Sequence, residues 1–390
     1  MPHKKKILAV HLNEFNYKFL KYGAKKYNCH YINEILKFNK IKTYSLDKEQ
    51  DKNLDPWVQS VSINTGKKSE NHKIFNTGQK VPNKLIQIWD YLAKKNLKCA
   101  VWSTMNAKYK KNKNIEIFFP DPWNNQTVVK PKELKNLYEL PRNYAQNYTD
   151  FSFFKNFTYI LKFFISCVNF GVITYFIRKI FLYTKIFVKT GFKNYFLFFL
   201  FDIISLKAFY NITENKKLNF SLIFLNSLAH FQHNNWDEKE NFYKYFLLTD
   251  EICKNIIKLG KNYDEVIIYN GFTQKKIRPE YIIRPTNPKE FIKSTGVKFD
   301  HFHSNMTNGG IIIFKNNIQK KKSLKILKEY NVFGFKVFEV KKLNSNNIFI
   351  RIQIKSFYNF NADTNSLNNK KIVRELSYEK NNLKLTKKKY

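Results

Sequence analysis

Apolar residues in this chain come in short blocks that stop abruptly at polar ones. "ILAVHL", residues 7–12, runs into Asn13 and Glu14, which predicts a short buried strand with polar groups at its carboxyl end. The spacing of "YKFLKYGAKKY" then predicts a helix. In "LDPWVQSVSINTG", Asp55 has the place of an N-cap, Pro56 that of the first helical residue and Gly66 that of the stop. A helix is expected over residues 84–95 and a strand over 99–103, while "IFFPDPWNN" reads as a loop. Further on, residues 222–225 and 265–269 read as strands on either side of the helical "DEKENFYKYFLLTDEICKNIIKLG". Short apolar runs alternating with helical patterns point to an α/β fold, a mostly parallel sheet covered by helices. "GGIIIFK", "VFGFKVFEVKK" and "NNIFIRIQIK" add strands near the end, and the tail "LKLTKKKY" reads as loose.

Between residues 151 and 212 the pattern changes. The segment is apolar and aromatic nearly throughout, interrupted by Lys155, Lys162, Arg178, Lys179, Lys185, Lys189 and Lys193. Its longest uncharged run, residues 163–177, falls short of the roughly 20 residues a bilayer span needs. No transmembrane span is expected. The segment reads as a helical insertion or lid, with a membrane-surface element as the alternative. The expected organisation is therefore residues 1–150 as the N-terminal part of an α/β domain, 151–212 as the insertion, and 213–390 as the C-terminal part with terminal strands.

Composition changes the picture in two ways. Hydrophobic residues make up 43% of the 390, enough for a sizeable core. Lys and Arg outnumber Asp and Glu by 69 to 30, a net charge of +39 that draws anionic partners. The lysines are scattered, with no single basic helix or recognition motif, which argues against nucleic acid. Anionic small molecules and lipid head groups remain as expected partners. Cys29, Cys99, Cys167 and Cys253 form no CxxC pair, which points away from a disulfide framework and towards a reducing compartment. The start "MPHKKKILAVHLNEF" has too short an apolar stretch for a signal peptide. The expected location is the cytoplasm, with attachment to a membrane as the alternative.

"FLNSLAHFQHNNWDE" holds the densest group of candidate ligands. His230 and His233, three residues apart, fall on one helical face where both imidazoles could reach a metal. The other reading is that they only hydrogen-bond within a strand-end loop. His11 reads as a hydrogen-bonded core residue, His72 as a surface residue, Thr65-Gly66 as a helix stop and Asp121 as a turn former between two prolines.

The pieces also have a suggestive order. A first strand ends in an acidic residue, then come "NTGKKSENH", "IWDYLAKKNLKCAVWSTMNA", the "PDPW" loop, "FLNSLAHFQHNNW" and a strand ending in "YNGFTQ". Over residues 7–125 and 218–315 this resembles the alkaline phosphatase superfamily, in particular its type I phosphodiesterase/nucleotide pyrophosphatase branch. The resemblance implies an alkaline-phosphatase-like central sheet flanked by helices, with a helical insertion. It also implies a site at the carboxyl ends of the strands, where two divalent ions activate a Ser or Thr at a helix N-terminus.

Carried over by position, Glu14 stands for the first acidic ligand and His230 for a ligand histidine, with Asn226 in place of a carboxylate. His233 is a further ligand candidate, and His301 or His303 stands for the last histidine, His303 being preferred. Near the nucleophile's place are Asp55 and Ser60, and Gln274 lies where an Asp-His pair belongs. This depleted set implies one divalent ion, zinc first, rather than two, or none. The implied function is a phosphate- or sulfate-ester hydrolase-like protein that acts on or binds an anionic glycan or lipid head group. The alternative is a non-catalytic binding protein on the same fold.

Overall fold

Five apolar runs lie side by side in one parallel sheet. The computed structural model describes residues 4–47, 54–124, 128–147, 151–190, 195–236, 242–274, 280–285, 288–304, 309–332, 335–343, 346–352 and 383–388. The strands are β1 (Ile7–Leu12), β2 (Cys99–Trp102), β3 (Ile115–Phe119), β4 (Phe220–Leu225) and β5 (Glu265–Tyr269). Their order is β3-β2-β4-β1-β5, and every pairing is parallel. β1–β4 are covered on both faces and so read as apolar runs without clear alternation, while the edge strand β5 leaves Ile267 exposed. Side chains still part by period two. Leu8, Val10 and Leu12 enter one core, and Ala9 enters a second with Trp89, Val101 and Leu222.

The four strands expected to share a sheet do so. "IFFPDPWNN" is corrected: its first residues belong to β3, where Ile115, Ile117, Phe118 and Phe119 are buried, and the turn begins only at Pro120.

Helices follow the strands. They are α1 (Tyr17–Tyr27), α2 (His30–Leu36), α3 (Pro56–Thr65), α4 (Ser69–His72), α5 (Ile88–Lys94), α6 (Lys135–Asn147), α7 (Phe157–Asn169), α8 (Val172–Arg178), α9 (Ile180–Thr190), α10 (Tyr195–Thr213), α11 (Ser227–Asn235) and α12 (Phe242–Gly260). α3 starts and stops as expected, with Asp55 extended at the cap and Gly66 left-handed at φ 64°. α5 starts later than expected because Gln87 and Asp90 form a capping box ahead of Ile88. α1, α2 and α10 pack on α12. At Gly23 the approach of α1 to α12 is so close that a Cβ would stand 2.0 Å from the Phe246 ring. The helical expectation for residues 151–212 holds in α7–α10. α10 is apolar all round because it is a core helix, with Phe196, Phe199, Ile203, Leu206 and Phe209 fully buried.

Two compact units make up the chain. The first comprises Met1–Arg142 with Asn156–Ile277 and holds the parallel sheet; the second comprises Asn143–Lys155 with Arg278–Lys389. The second unit has its own antiparallel sheet, with Gly309–Ile313 between His301–Ser304 and Asn347–Ile352, and Phe338–Lys342 at one edge. Ile312, Phe314, Leu327 and Ile348 centre its separate core. The tail expected to be loose instead pairs, Leu383–Lys388 running antiparallel to Glu280–Pro285. The main-chain groups of that otherwise open strand give the tail its partners.

Candidate functional site

Register places the site. Leu12 pairs with Leu225 and His11 with Tyr269, so the residues that follow β1, β4 and β5 emerge together at one edge of the sheet. Asn13 continues the ladder by one bond, its amide donating to the Leu225 carbonyl at 3.0 Å. The chain then turns at Glu14, which is left-handed at φ 56° and buried. For a residue with a Cβ that conformation costs about 1–2 kcal/mol, so the surroundings must hold it. Gln232 of α11 does this by donating its Nε2 to the Glu14 carbonyl at 3.0 Å. Asn16 accepts the Phe19 amide at 3.1 Å to start α1, and its Nδ2 reaches the Gln274 carbonyl at 3.1 Å.

The Glu14 carboxylate receives side-chain donors from two directions. Asn13 Nδ2 donates to Oε1 at 3.3 Å, and Gln274 Nε2 donates to Oε2. His233 Nε2 stands 3.6 Å from the same Oε2, and Gln274 Nε2 lies 3.1 Å from the His233 ring nitrogen. Asn13 Nδ2 also donates to Asn226 Oδ1 at 2.7 Å. The structure therefore ties together Glu14, Asn226, His233 and Gln274. Around them, three buried amide oxygens have no hydrogen-bond partner among the described residues: Asn13 Oδ1, Gln232 Oε1 and Gln274 Oε1. Each belongs to a side chain whose nitrogen binds Glu14.

α11 is held in place from below by Asp202 of α10. Its carboxylate accepts the amides of Asn226 and Ser227 at 3.2 and 2.8 Å, where the helix leaves its first N–H groups unsatisfied. Burial pushes the Asp202 carboxyl up to about 6, and those hydrogen bonds oppose the rise. The three-residue spacing does bring both histidines of "HFQH" to one side of α11, with ring centroids 6.3 Å apart. Their surroundings differ. His233 turns to Glu14, while His230 lies flat on Phe198 with centroids 3.4 Å apart and planes 9° apart. Burial first, and then His233, push the His230 imidazole down to about 3, so it is neutral.

The remaining candidates lie on other elements. Asp55 caps α3, its carbonyl accepting the amides of Val58 and Gln59. Ser60 is fully buried and accepts the Asn64 amide at 3.4 Å. His303 lies on a strand of the second unit, paired with Ile311, and His301 lies two residues before it, 3.5 Å from Asp300. Asp121 closes its turn as expected by accepting the Trp123 amide at 2.9 Å, and burial pushes its carboxyl up to about 7.

Two histidine expectations are corrected. His72 is buried, because Asp47 gathers Gln59, Ser62 and Ser69 around one carboxylate beside it. Its Nδ1 accepts the Ile74 amide at 3.0 Å, so in the neutral ring Nε2 carries the proton and donates to Ser62 Oγ at 3.0 Å. His72 in that tautomer offers Ser62 no base, and the pair is not a nucleophile–base couple. His11 is buried as expected, but neither ring nitrogen has a partner among the described residues. Its ring is held by stacking on Tyr269 and by the edge of Phe224.

A two-metal centre does not fit these residues. It needs several anionic or imidazole donors facing one space, whereas here amide N–H groups of Asn13 and Gln274 point at the one carboxylate. Among the described residues no group of three or more His, Cys, Asp and Glu side chains could hold a metal ion. Asn13, Gln232 and Asp202 are site residues that the sequence reading passed over. Asp202 had a signal, a lone carboxylate inside "FLFFLFDIISL" that needs a partner once buried. The chain matches no protein-family model and no curated protein.

Proposed function

We propose that the chain is a ligand-binding protein of phosphate- and sulfate-ester hydrolase type, built on an alkaline-phosphatase-like sheet, with the Glu14 group as its site. The observation that carries this reading is the direction of the amides. Asn13 and Gln274 aim N–H groups at Glu14, which fixes it as an acceptor within the protein, and they leave their own oxygens unanswered. These oxygens are closed to solvent as they stand, so a ligand rich in hydroxyl donors answers them once the half-buried His233 and Asn226 swing aside, and the net charge of +39 favours one that also carries phosphate or sulfate. Phosphorylated or sulfated glycans meet both requirements. His233 and Asn226, both only partly buried, are the side chains we assign to the lip through which such a ligand would enter.

The test is a calorimetric titration with neutral, phosphorylated and sulfated glycans, run beside assays of phosphodiester and sulfate-ester turnover. Glu14→Gln removes the charged acceptor that holds the Asn13 and Gln274 amides, each bond worth about 1.5–3 kcal/mol to their orientation, so their oxygens are no longer presented together and glycan binding weakens. Ester turnover that a chelator abolishes overturns the binding reading. A second reading, an ester hydrolase with one cation, is favoured by the 3.6 Å approach of His233 to Glu14. Turnover restored by one equivalent of zinc selects it.

A further inference from the structure

α7 has two apolar faces, although one face of a surface helix is ordinarily polar. At 100° per residue, Phe157, Leu161, Phe164, Ile165 and Val168 fall within an arc of about 100°. Each is 49–61% exposed. The opposite side carries Phe163 and the buried Cys167, which pack on the core of the first unit. α9 repeats the arrangement: Ile180, Phe181 and Val188 are 55%, 87% and 78% exposed, while Tyr183 and Ile186 turn inward. Among the described residues, 11 of the 27 exposed large apolar side chains lie between Phe157 and Leu197. Such a concentration marks a contact surface rather than scattered exposure.

Charge identifies what the surface meets. Residues 151–201 contain no Asp or Glu and seven Lys or Arg. Lys162 is exposed at the border of the outer arc of α7 and Lys185 lies exposed within α9. An apolar face whose own segment carries only cationic charges matches an anionic lipid surface, with the lysine stems reaching up to the head groups. The geometry argues against crossing. α7 has 13 residues, about 20 Å of helix against about 30 Å of hydrocarbon. α8 breaks away from it by 82°. α10, the one described helix long and apolar enough to span alone, uses its apolar residues in the protein core.

We propose that α7 and α9 dock the protein on an anionic bilayer, their outer faces sunk to the head-group boundary without spanning it. This stands apart from the function proposed for the Glu14 group and does not depend on it.

The full chain is floated with vesicles of phosphatidylcholine alone, and with vesicles in which about a third of the lipid is phosphatidylglycerol. Binding is expected on the anionic vesicles only, and it weakens as salt is raised. Leu161→Asp and Val168→Asp each lower partitioning by about tenfold, from lost apolar insertion and added repulsion. Both side chains are at least half exposed, so the variants should still fold, which thermal unfolding checks. Lys162→Glu with Lys185→Glu provides an independent reading through a shallower salt dependence. The proposal is overturned by failure of the wild type to float with anionic vesicles, or by undiminished binding of the folded Asp variants. It is also overturned by a lipid-free dimer that the same substitutions dissociate, which would assign the face to a second copy.

Discussion

His11→Phe should flatten the acid sensitivity of the first unit. His11 is 1% exposed, burial alone pushes its imidazole down to about 3, and neither nitrogen finds a partner among the described residues. A group whose folded pKa lies below the unfolded value of 6.5 binds protons in the unfolded chain first. Stability is therefore lost as pH falls through 6.5 and goes on falling until about 3. At pH 5 the unfolded chain gains about 2 kcal/mol relative to pH 7 from this one residue. Asp121 and Asp202, pushed up to about 7 and about 6, act in the opposite sense, because they take up protons in the folded state first. The wild-type curve alone therefore mixes opposing effects, and the difference between two proteins isolates His11. Phenylalanine keeps a ring between Tyr269 and Phe224. Urea unfolding followed by tryptophan fluorescence at pH 7 and pH 5 reads the right unit, since all five tryptophans lie in it. Wild type should lose about 2 kcal/mol more than the variant between those pH values. Equal losses, within about 0.5 kcal/mol, would refute a buried neutral His11.

Gly23→Ala should cost about 1–3 kcal/mol, because its methyl meets the Phe246 ring and forces α1 from α12; thermal unfolding measures it. Asp202→Ala removes two hydrogen bonds from the start of α11, a loss of about 2–3 kcal/mol. Hydrogen exchange at Asn226 and Ser227 should accelerate first. Gln274→Glu sets a second carboxylate against Glu14 and should lower stability at pH 7 by about 1–3 kcal/mol, with recovery as pH falls and one of the pair protonates. Zinc should raise the thermal midpoint of that variant and leave wild type nearly unchanged, because the variant adds the missing anionic donor.

Much of the sheet was legible because parallel strands are apolar on both faces and end where polar residues begin, as at Leu12–Asn13 and Leu225–Asn226. The limits of α3 were legible from Asp55, Pro56 and Gly66, which act locally. β3 was obscured by the prolines at 120 and 122, whose turn signal spreads over the apolar residues before it. Burial of His72 depends on Asp47, 25 residues earlier, and nothing local in "SENH" records it. At the site, Glu14 and Gln274 could be named because each follows a strand. Their amide neighbours could not, since Asn13 and Gln232 become important only through the directions of their N–H groups. The separation of residues 278–389 into their own unit rests on long-range pairing between antiparallel strands, which no local pattern encodes.

Elemental analysis of the purified protein, paired with phosphodiester and sulfate-ester assays before and after addition of zinc, decides whether the Glu14 group is a binding site or a metal centre. Well under one equivalent of divalent metal and no turnover on addition are expected, because amide donors already occupy the Glu14 carboxylate. Two tightly held metal ions per chain, with ester hydrolysis that disappears in Glu14→Gln, would contradict the binding reading.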